Sequence, residues 1–257
     1  MAIDCAMMEA VAEKEQPTFR IYQWRPYCIS LGHHQSGESI DIGQCKREGV
    51  DVVRRPTGGR AVFHAEEVTY SIVIPRTSDF FSKQIQTVYN QIGHGLVHSL
   101  RLLGVKAELQ KGTVDLKNHY HQSESVACFS VTSRYEVMVN NKKIIGSAQR
   151  HISGNILQHG SILTGSAHSR LPDFLNHVSP DAKQKMRTML ENRTGNIRQC
   201  LGHDLSYEDI SQALNRGMSE ALSIQFEPAC LSEEEKQLVD KMKPRLTVSN
   251  LNETVCS

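Results

Sequence analysis

The 257 residues carry 29 Lys and Arg against 28 Asp and Glu, a net charge of +1 that offers no basis for binding nucleic acid or an anionic membrane. No apolar run approaches the ~20 residues of a membrane-spanning helix. The seven cysteines are odd in number, contain no CxxC pair and follow no secretory leader, which predicts free thiols in a reducing, cytoplasmic setting.

Ala2 to Val11 is expected to form an amphipathic helix with Ile3, Ala6, Met7 and Ala10 on one face. Phe19 to Cys28 reads as a strand, ended by Ser30-Leu-Gly-His33. After Arg54-Arg55-Pro56-Thr57 comes a glycine pair, Gly58-Gly59. Val68, Tyr70, Ile72 and Ile74 then alternate with Thr69, Ser71 and Val73 as in a strand with one more buried face. Phe80 to Leu103 is predicted helical, with Ile85, Val88, Ile92, Leu96, Leu100 and Leu103 on a core stripe and Gly104 at the stop.

Lys111 to Ser125 reads as a polar loop over the site. Its His119 and His121 do not combine with Glu124 and Cys128 in a standard zinc spacing, so no metal is expected. Tyr135 to Val139, a turn at Asn140-Asn141 and a return through Lys143-Ile144-Ile145-Gly146 form a hairpin. Asn155 to Leu163 supplies the next strand. Beyond it, Leu171-Pro172-Asp173 caps a short helix and Arg187 to Leu201 reads as charged and irregular. Ser206 to Asp209 and Ser232 to Glu235 have helix-start spacing, the second leading through Met242. These helices are read as packing support, and the terminal NLNETVCS, with an incidental Cys256, as frayed. The expected division is a catalytic domain over 1–205 and a small helical extension over 206–257.

Two segments carry the chemistry. Gly58 and Gly59 lack a Cβ, so a ligand can lie directly against their backbone; the alternative is a plain turn with Arg54, Arg55 and Arg60 solvated. Cys128 precedes the hairpin whose second arm opens with Lys143. If the arms pair, thiol and ammonium lie close, and a thiol beside a cation has the lowered pKa that a nucleophile needs.

The run of MAIDCAMMEA, ISLGHHQ, RRPTGGRAVFH, KKIIGSAQR and ILQHGSIL, in this order across nearly the whole chain, closely resembles the lipoate and octanoate attachment family, and within it the octanoyltransferases of the LipM type. The resemblance implies a biotin and lipoate protein ligase-like fold, an α/β (α+β) domain with a mixed sheet flanked by helices. Members usually carry a further strand before the first helix, which this sequence does not show. The implied activity moves octanoyl from acyl carrier protein, through a cysteine thioester, to a lysine of a lipoyl domain such as glycine cleavage H protein or a dehydrogenase lipoyl domain, with no cofactor. In ATP-dependent lipoate ligases an aspartate stands where Cys128 does, and in amidotransferases acting between lipoyl domains the glycine motif lacks the counterparts of Arg60 and His64. A non-catalytic relative that binds lipoyl domains or acyl carrier is a third alternative.

By the same likeness, Cys128 is the nucleophile, and Lys143 supports it. Gly58, Gly59 and Arg60 bed the acyl chain, while His64, Gly146, Gln158, His159 and Gly160 line the pocket, His64 and the 158–160 turn as candidate oxyanion donors. His64 and His159 fit a structural role as readily as proton transfer. Arg54 and Arg55 face either phosphopantetheine and an acidic carrier surface, or solvent and neighbouring strands.

Overall fold

The computed structural model describes residues 1–11, 16–78, 85–111 and 135–248. Its strands are β1 Thr18–Tyr22, β2 Cys28–Leu31, β3 Asp51–Arg54, β4 Val62–His64, β5 Glu67–Ile74, β6 Glu108–Lys111, β7 Tyr135–Val139, β8 Lys142–Ile152 and β9 Asn155–Leu163. Its helices are α1 Ala2–Ala10, α2 Ile42–Arg47, α3 Ile85–Leu102, α4 Pro180–Arg193, α5 Ile197–Leu201, α6 Tyr207–Leu222 and α7 Glu233–Leu246.

The strands form two sheets. The larger, in the order β1-β5-β9-β8-β7-β6, is antiparallel at every pairing. The smaller, β3-β2-β4, joins a parallel β2–β3 pair to an antiparallel β2–β4 pair, so mixed pairing is confined to it. Two-residue turns account for the long antiparallel run. Asn140 and Asn141 both have positive φ, +49° and +59°, as do Ser153 and Gly154, the geometry that matches strand twist in a tight hairpin.

β5 is buried along its whole length, and its alternation separates two environments. Val68, Tyr70, Ile72 and Ile74 meet Val88, Ile92, Leu96 and Leu100 of α3 and Ile210, Leu214 and Met218 of α6. At about 1.5–3 kcal/mol per buried aliphatic side chain, those four α3 residues contribute roughly 6–12 kcal/mol before chain ordering is charged against them. The opposite face is covered by α1, through Met7, Met8 and Val11 against Val73 and Leu157, and by the small sheet, where Ile29, Leu31 and Phe63 cluster with Leu163.

Three expectations are corrected. Phe19 to Cys28 is not one strand: β1 pairs with β5 in the large sheet, the chain leaves at Gln23, and β2 joins the small sheet. Pro26 has no N–H to offer a ladder, which suits a crossing segment. Arg187 to Leu201 is largely helical, in α4 and α5. Ser179 caps α4 by accepting from Ala182 N and Pro180 occupies its first turn, but only Met186 and Leu190 are buried, so the apolar stripe is too sparse to read. The 158–160 segment is not a turn but the middle of β9, paired with β5 and β8. β6, at an edge of the large sheet, has no clear signal in the sequence. Ser206 and Ser232 form full capping boxes with Asp209 and Glu235, and α7 continues past Met242 to Leu246. The expected loop at 112–125, with His119 and His121, lies outside the described residues, as do Cys128 and Cys256.

Candidate active site

Arg54 and Arg55 turn inward. Arg55, only 3% exposed, spends its guanidinium on backbone: Nε and Nη2 donate to Gly58 O at 3.2 and 2.9 Å, Nη2 to Arg60 O at 2.7 Å, and Nη1 to Ser30 O and Oγ at 2.9 and 3.1 Å. Arg54 Nη1 donates to the carbonyls of Gly32 and His33 at 3.1 and 3.3 Å. His33 N donates to Thr57 O at 2.9 Å, so the glycine loop and the turn after β2 are tied together. Gly59 sits at φ +93°, and a Cβ built on Gly32 would stand 1.9 Å from Gly59 O, so this junction needs glycine on both sides. Gly58 and Gly59 are exposed, and a Cβ on Gly58 would meet nothing within 4 Å.

Below this loop a narrow slot runs between the sheets. One side is Ser30, Arg55, Val62 and His64; the other is Gly146, Ser147 and Ala148 of β8 with His159, Gly160 and Ser161 of β9; Met1, Tyr22, Trp24 and Thr69 complete it. Its volume is about 30 Å³. Gly58, Gly59 and Arg60 are not in its lining; they are held at the loop by Arg55. Gln158 is also outside it, because strand alternation turns its side chain to the α3 face, where Nε2 donates to the Tyr70 hydroxyl at 3.1 Å. Gly160 shares that face and lines the slot with its backbone; a Cβ there would stand 2.5 Å from Gly146 O and 2.7 Å from Tyr70.

Both histidines are buried within hydrogen-bond networks. His159 Nε2 is 2.6 Å from Thr57 Oγ1, and burial, opposed by Asp4 and reinforced by Arg55, pushes its pKa down to about 3, leaving a neutral ring at physiological pH. His64 Nε2 is 2.8 Å from Ser30 Oγ, and its Nδ1 is 3.1 Å from Ser161 Oγ and 3.3 Å from Glu67 Oε1.

Lys143 reaches the slot's side of the sheet by an irregularity. Val137 pairs with Ile145 but Met138 pairs with Lys143, so β8 carries one extra residue at Ile144, and Ile144 and Ile145 both enter the α3-side core. Without this bulge, residues three apart would face opposite ways. With it, Lys143 shares the face of Gly146 and Ala148. Lys143 is 6% exposed, and Nζ donates to Glu136 Oε1 at 2.7 Å. Lys142 points away, its Nζ donating to Glu191 O at 3.1 Å. Sequence reasoning missed Trp24, Ser30, Glu67, Thr69 and Glu136. Trp24 had a signal, being the only tryptophan in the chain.

The lipoyl protein ligase A/B catalytic-domain profile matches residues 1–219. The chain belongs to this family. Among similar proteins, an octanoyltransferase LipM of Clostridioides difficile is 35% identical over 245 residues, 94% of this chain and 89% of that protein. One of Kyrpidia tusciae is 36% identical over 254 residues, 98% of this chain and 93% of that protein. Two solved structures share the lipoyl ligase fold at 26% identity. A T. acidophilum lipoate protein ligase-like protein with bound lipoic acid has a TM-score of 0.74 over 95% of this chain and 88% of its own, and a lipoate-protein ligase A bound with ATP has 0.72 over 94% and 87%.

Proposed function

We propose that octanoyl transfer in this chain runs through a thioester on Cys128, with Lys143 as the cation beside it. The protein is an acyltransferase, an octanoyltransferase of protein lipoylation. The observation that carries the cysteine route is the bulge in β8, which turns a buried, Glu136-bound ammonium to the face of the slot, in a chain whose preceding segment holds Cys128.

In the first step the Cys128 thiolate attacks the thioester carbonyl of octanoyl acyl carrier protein. The bond from that carbonyl to the carrier's sulfur breaks, the carrier leaves as its thiol after taking a proton, and octanoyl is held on Cys128. In the second, the neutral amine of a lipoyl-domain lysine attacks. The carbon–sulfur bond to Cys128 breaks, the amide forms, and the amine's proton passes to the departing thiolate. Lys143 supplies positive charge where the oxyanion and thiolate develop, and two smaller barriers replace one. The acceptor class is the lipoyl domain, with glycine cleavage H protein as the named candidate, and the setting is cytoplasmic; no helix among the described residues is long and apolar enough to cross a membrane. Residues 206–257 act as a helical extension, whose described part, 206–248, packs α6 on α3 and α7 on α1, away from the slot.

The likeness to a ligase bound with ATP supports a second reading, activation of a free acid as its adenylate. Intact-mass measurement after incubation with octanoyl carrier protein, with and without ATP, separates the two. An octanoyl adduct formed without ATP, released by hydroxylamine and missing in Cys128→Ala, is expected. An ATP-dependent acyl adenylate, or an undiminished adduct on Cys128→Ala, would sink the thioester route.

A further inference from the structure

Trp24 and His64 line the slot and also a second cavity of about 480 Å³, whose walls include Arg25, Tyr27, Glu66 and Glu67. Their rings stack at 4.5 Å between centroids and 23° between planes, so the pair forms a partition between the two spaces. The space on one side is narrow and faced by small residues; the space on the other is wide and edged by charge.

Both rings are linked to one carboxylate oxygen. Trp24 Nε1–H can only donate, and does so to Thr69 Oγ1 at 2.9 Å. The Thr69 hydroxyl then donates to Glu67 Oε1 at 2.6 Å. His64 Nδ1 lies 3.3 Å from the same Oε1 and 3.1 Å from Ser161 Oγ, while its Nε2 faces the Ser30 hydroxyl at 2.8 Å. Glu67 is 5% exposed, and its second oxygen, Oε2, is buried without a hydrogen-bond partner among the described residues. A buried acceptor left without a partner is expensive, and a hydrophobic side chain would fill the volume without that cost. What the carboxylate does that a hydrocarbon would not is hold two rings in register.

We propose that Glu67 is a positioning residue for acyl-chain length: through Thr69 and His64 it keeps the Trp24–His64 partition closed, so the slot ends at these rings and a longer chain enters only by pushing them toward the second cavity. The identity of the occupant as an acyl chain rests on the acyl-transfer reading above; the partition does not.

Because Trp24 is the only tryptophan, its emission reports the partition directly. The test titrates the full-length protein with straight-chain fatty acids from butanoate to tetradecanoate, reading tryptophan emission and binding. It then measures kcat/KM for octanoyl and dodecanoyl carrier-protein thioesters, in the natural chain and in Glu67→Gln. In the natural chain, emission is expected to respond only above a threshold chain length. In Glu67→Gln that threshold moves to longer chains, unliganded Trp24 becomes more accessible to acrylamide, and the dodecanoyl-to-octanoyl ratio of kcat/KM rises about tenfold, the discrimination that a single methylene in an apolar pocket supplies. An equal response to short and long acids, or a folded Glu67→Gln whose ratio matches the natural chain because all donors fall together, overturns the proposal. If Glu67→Gln does not fold, Thr69→Ala cuts the link to Trp24 while keeping the carboxylate, and carries the same expectations. If no thioester is turned over at all, the transferase reading fails, and the fatty-acid titration still decides the partition.

Discussion

On the small-sheet side of the slot, Ser30, Arg55 and His64 are buried polar side chains bonded to one another, to the glycine loop and to β5 and β9. On the β8–β9 side the wall is made largely of what is missing: Gly146, Ala148 and Gly160 leave backbone facing the space, and Lys143 stands further along the same face. The first wall is specified by hydrogen-bond partners, so a substitution there strands a buried donor or acceptor. The second is specified by clearance, so the damaging change is an added atom. Hydrogen-bonded placement and clearance thus dominate different walls, with Lys143 the charged group on the second.

The largest effect should come from Lys143→Ala, with transfer falling at least ~10²-fold, read as the rate of octanoyl adduct formation. Lys142→Ala, one residue away on the opposite face, should leave stability within about 0.5 kcal/mol and the rate near that of the natural chain. Equal losses in the two variants would break the assignment of Lys143 to the slot face.

Arg55→Ala tests the bonded wall. It removes the shared donor of Ser30 O, which is buried, and of Gly58 O and Arg60 O, which are partly buried; at about 1–3 kcal/mol for a stranded buried acceptor and less for the other two, the fold should lose roughly 3 kcal/mol in a denaturant titration. Lysine cannot reproduce the fork of donors, so Arg55→Lys should rescue little.

Gly160→Ala probes the clearance wall and should cost less stability, about 1–3 kcal/mol, because Gly146 O and Tyr70 must shift to admit the methyl group. Its effect on transfer should exceed its effect on thermal unfolding. If stability falls while the rate per folded molecule holds, backbone exposure at Gly160 does not shape the slot.

The effect that is smallest at neutral pH is on pH dependence. Burial holds His159 neutral with its pKa near 3, against an unfolded value of 6.5. Between those values the unfolded chain binds the proton and the folded chain does not, so stability falls as pH drops below about 6.5 and continues to fall toward 3. His168, pushed down to about 4 by burial, adds to the same slope. His159→Gln should flatten the acid limb of a Tm-against-pH curve. An unchanged limb would mean that His159 is not the residue resisting protonation.

Local pattern in the sequence was enough to read β5, the β7–β8 hairpin, β9 and the caps of α6 and α7, because alternation, paired turn residues and Ser-x-x-acid spacing act within a few residues. The same holds for the adjacency of Lys142 and Lys143 on opposite faces. The family motifs also announced the glycine loop and the residues around it. What local pattern could not supply was the bulge at Ile144, since Lys143-Ile144-Ile145-Gly146 reads equally well as a regular strand and only pairing with Val137 and Met138 puts Lys143 on the slot face. Nor could it show that Arg55 is spent on Ser30, 25 positions away, or that Trp24 of the crossing segment stacks on His64 of the small sheet. Those contacts join residues distant in the chain, and buried hydrogen bonds between them exist only once both sheets have closed on the slot.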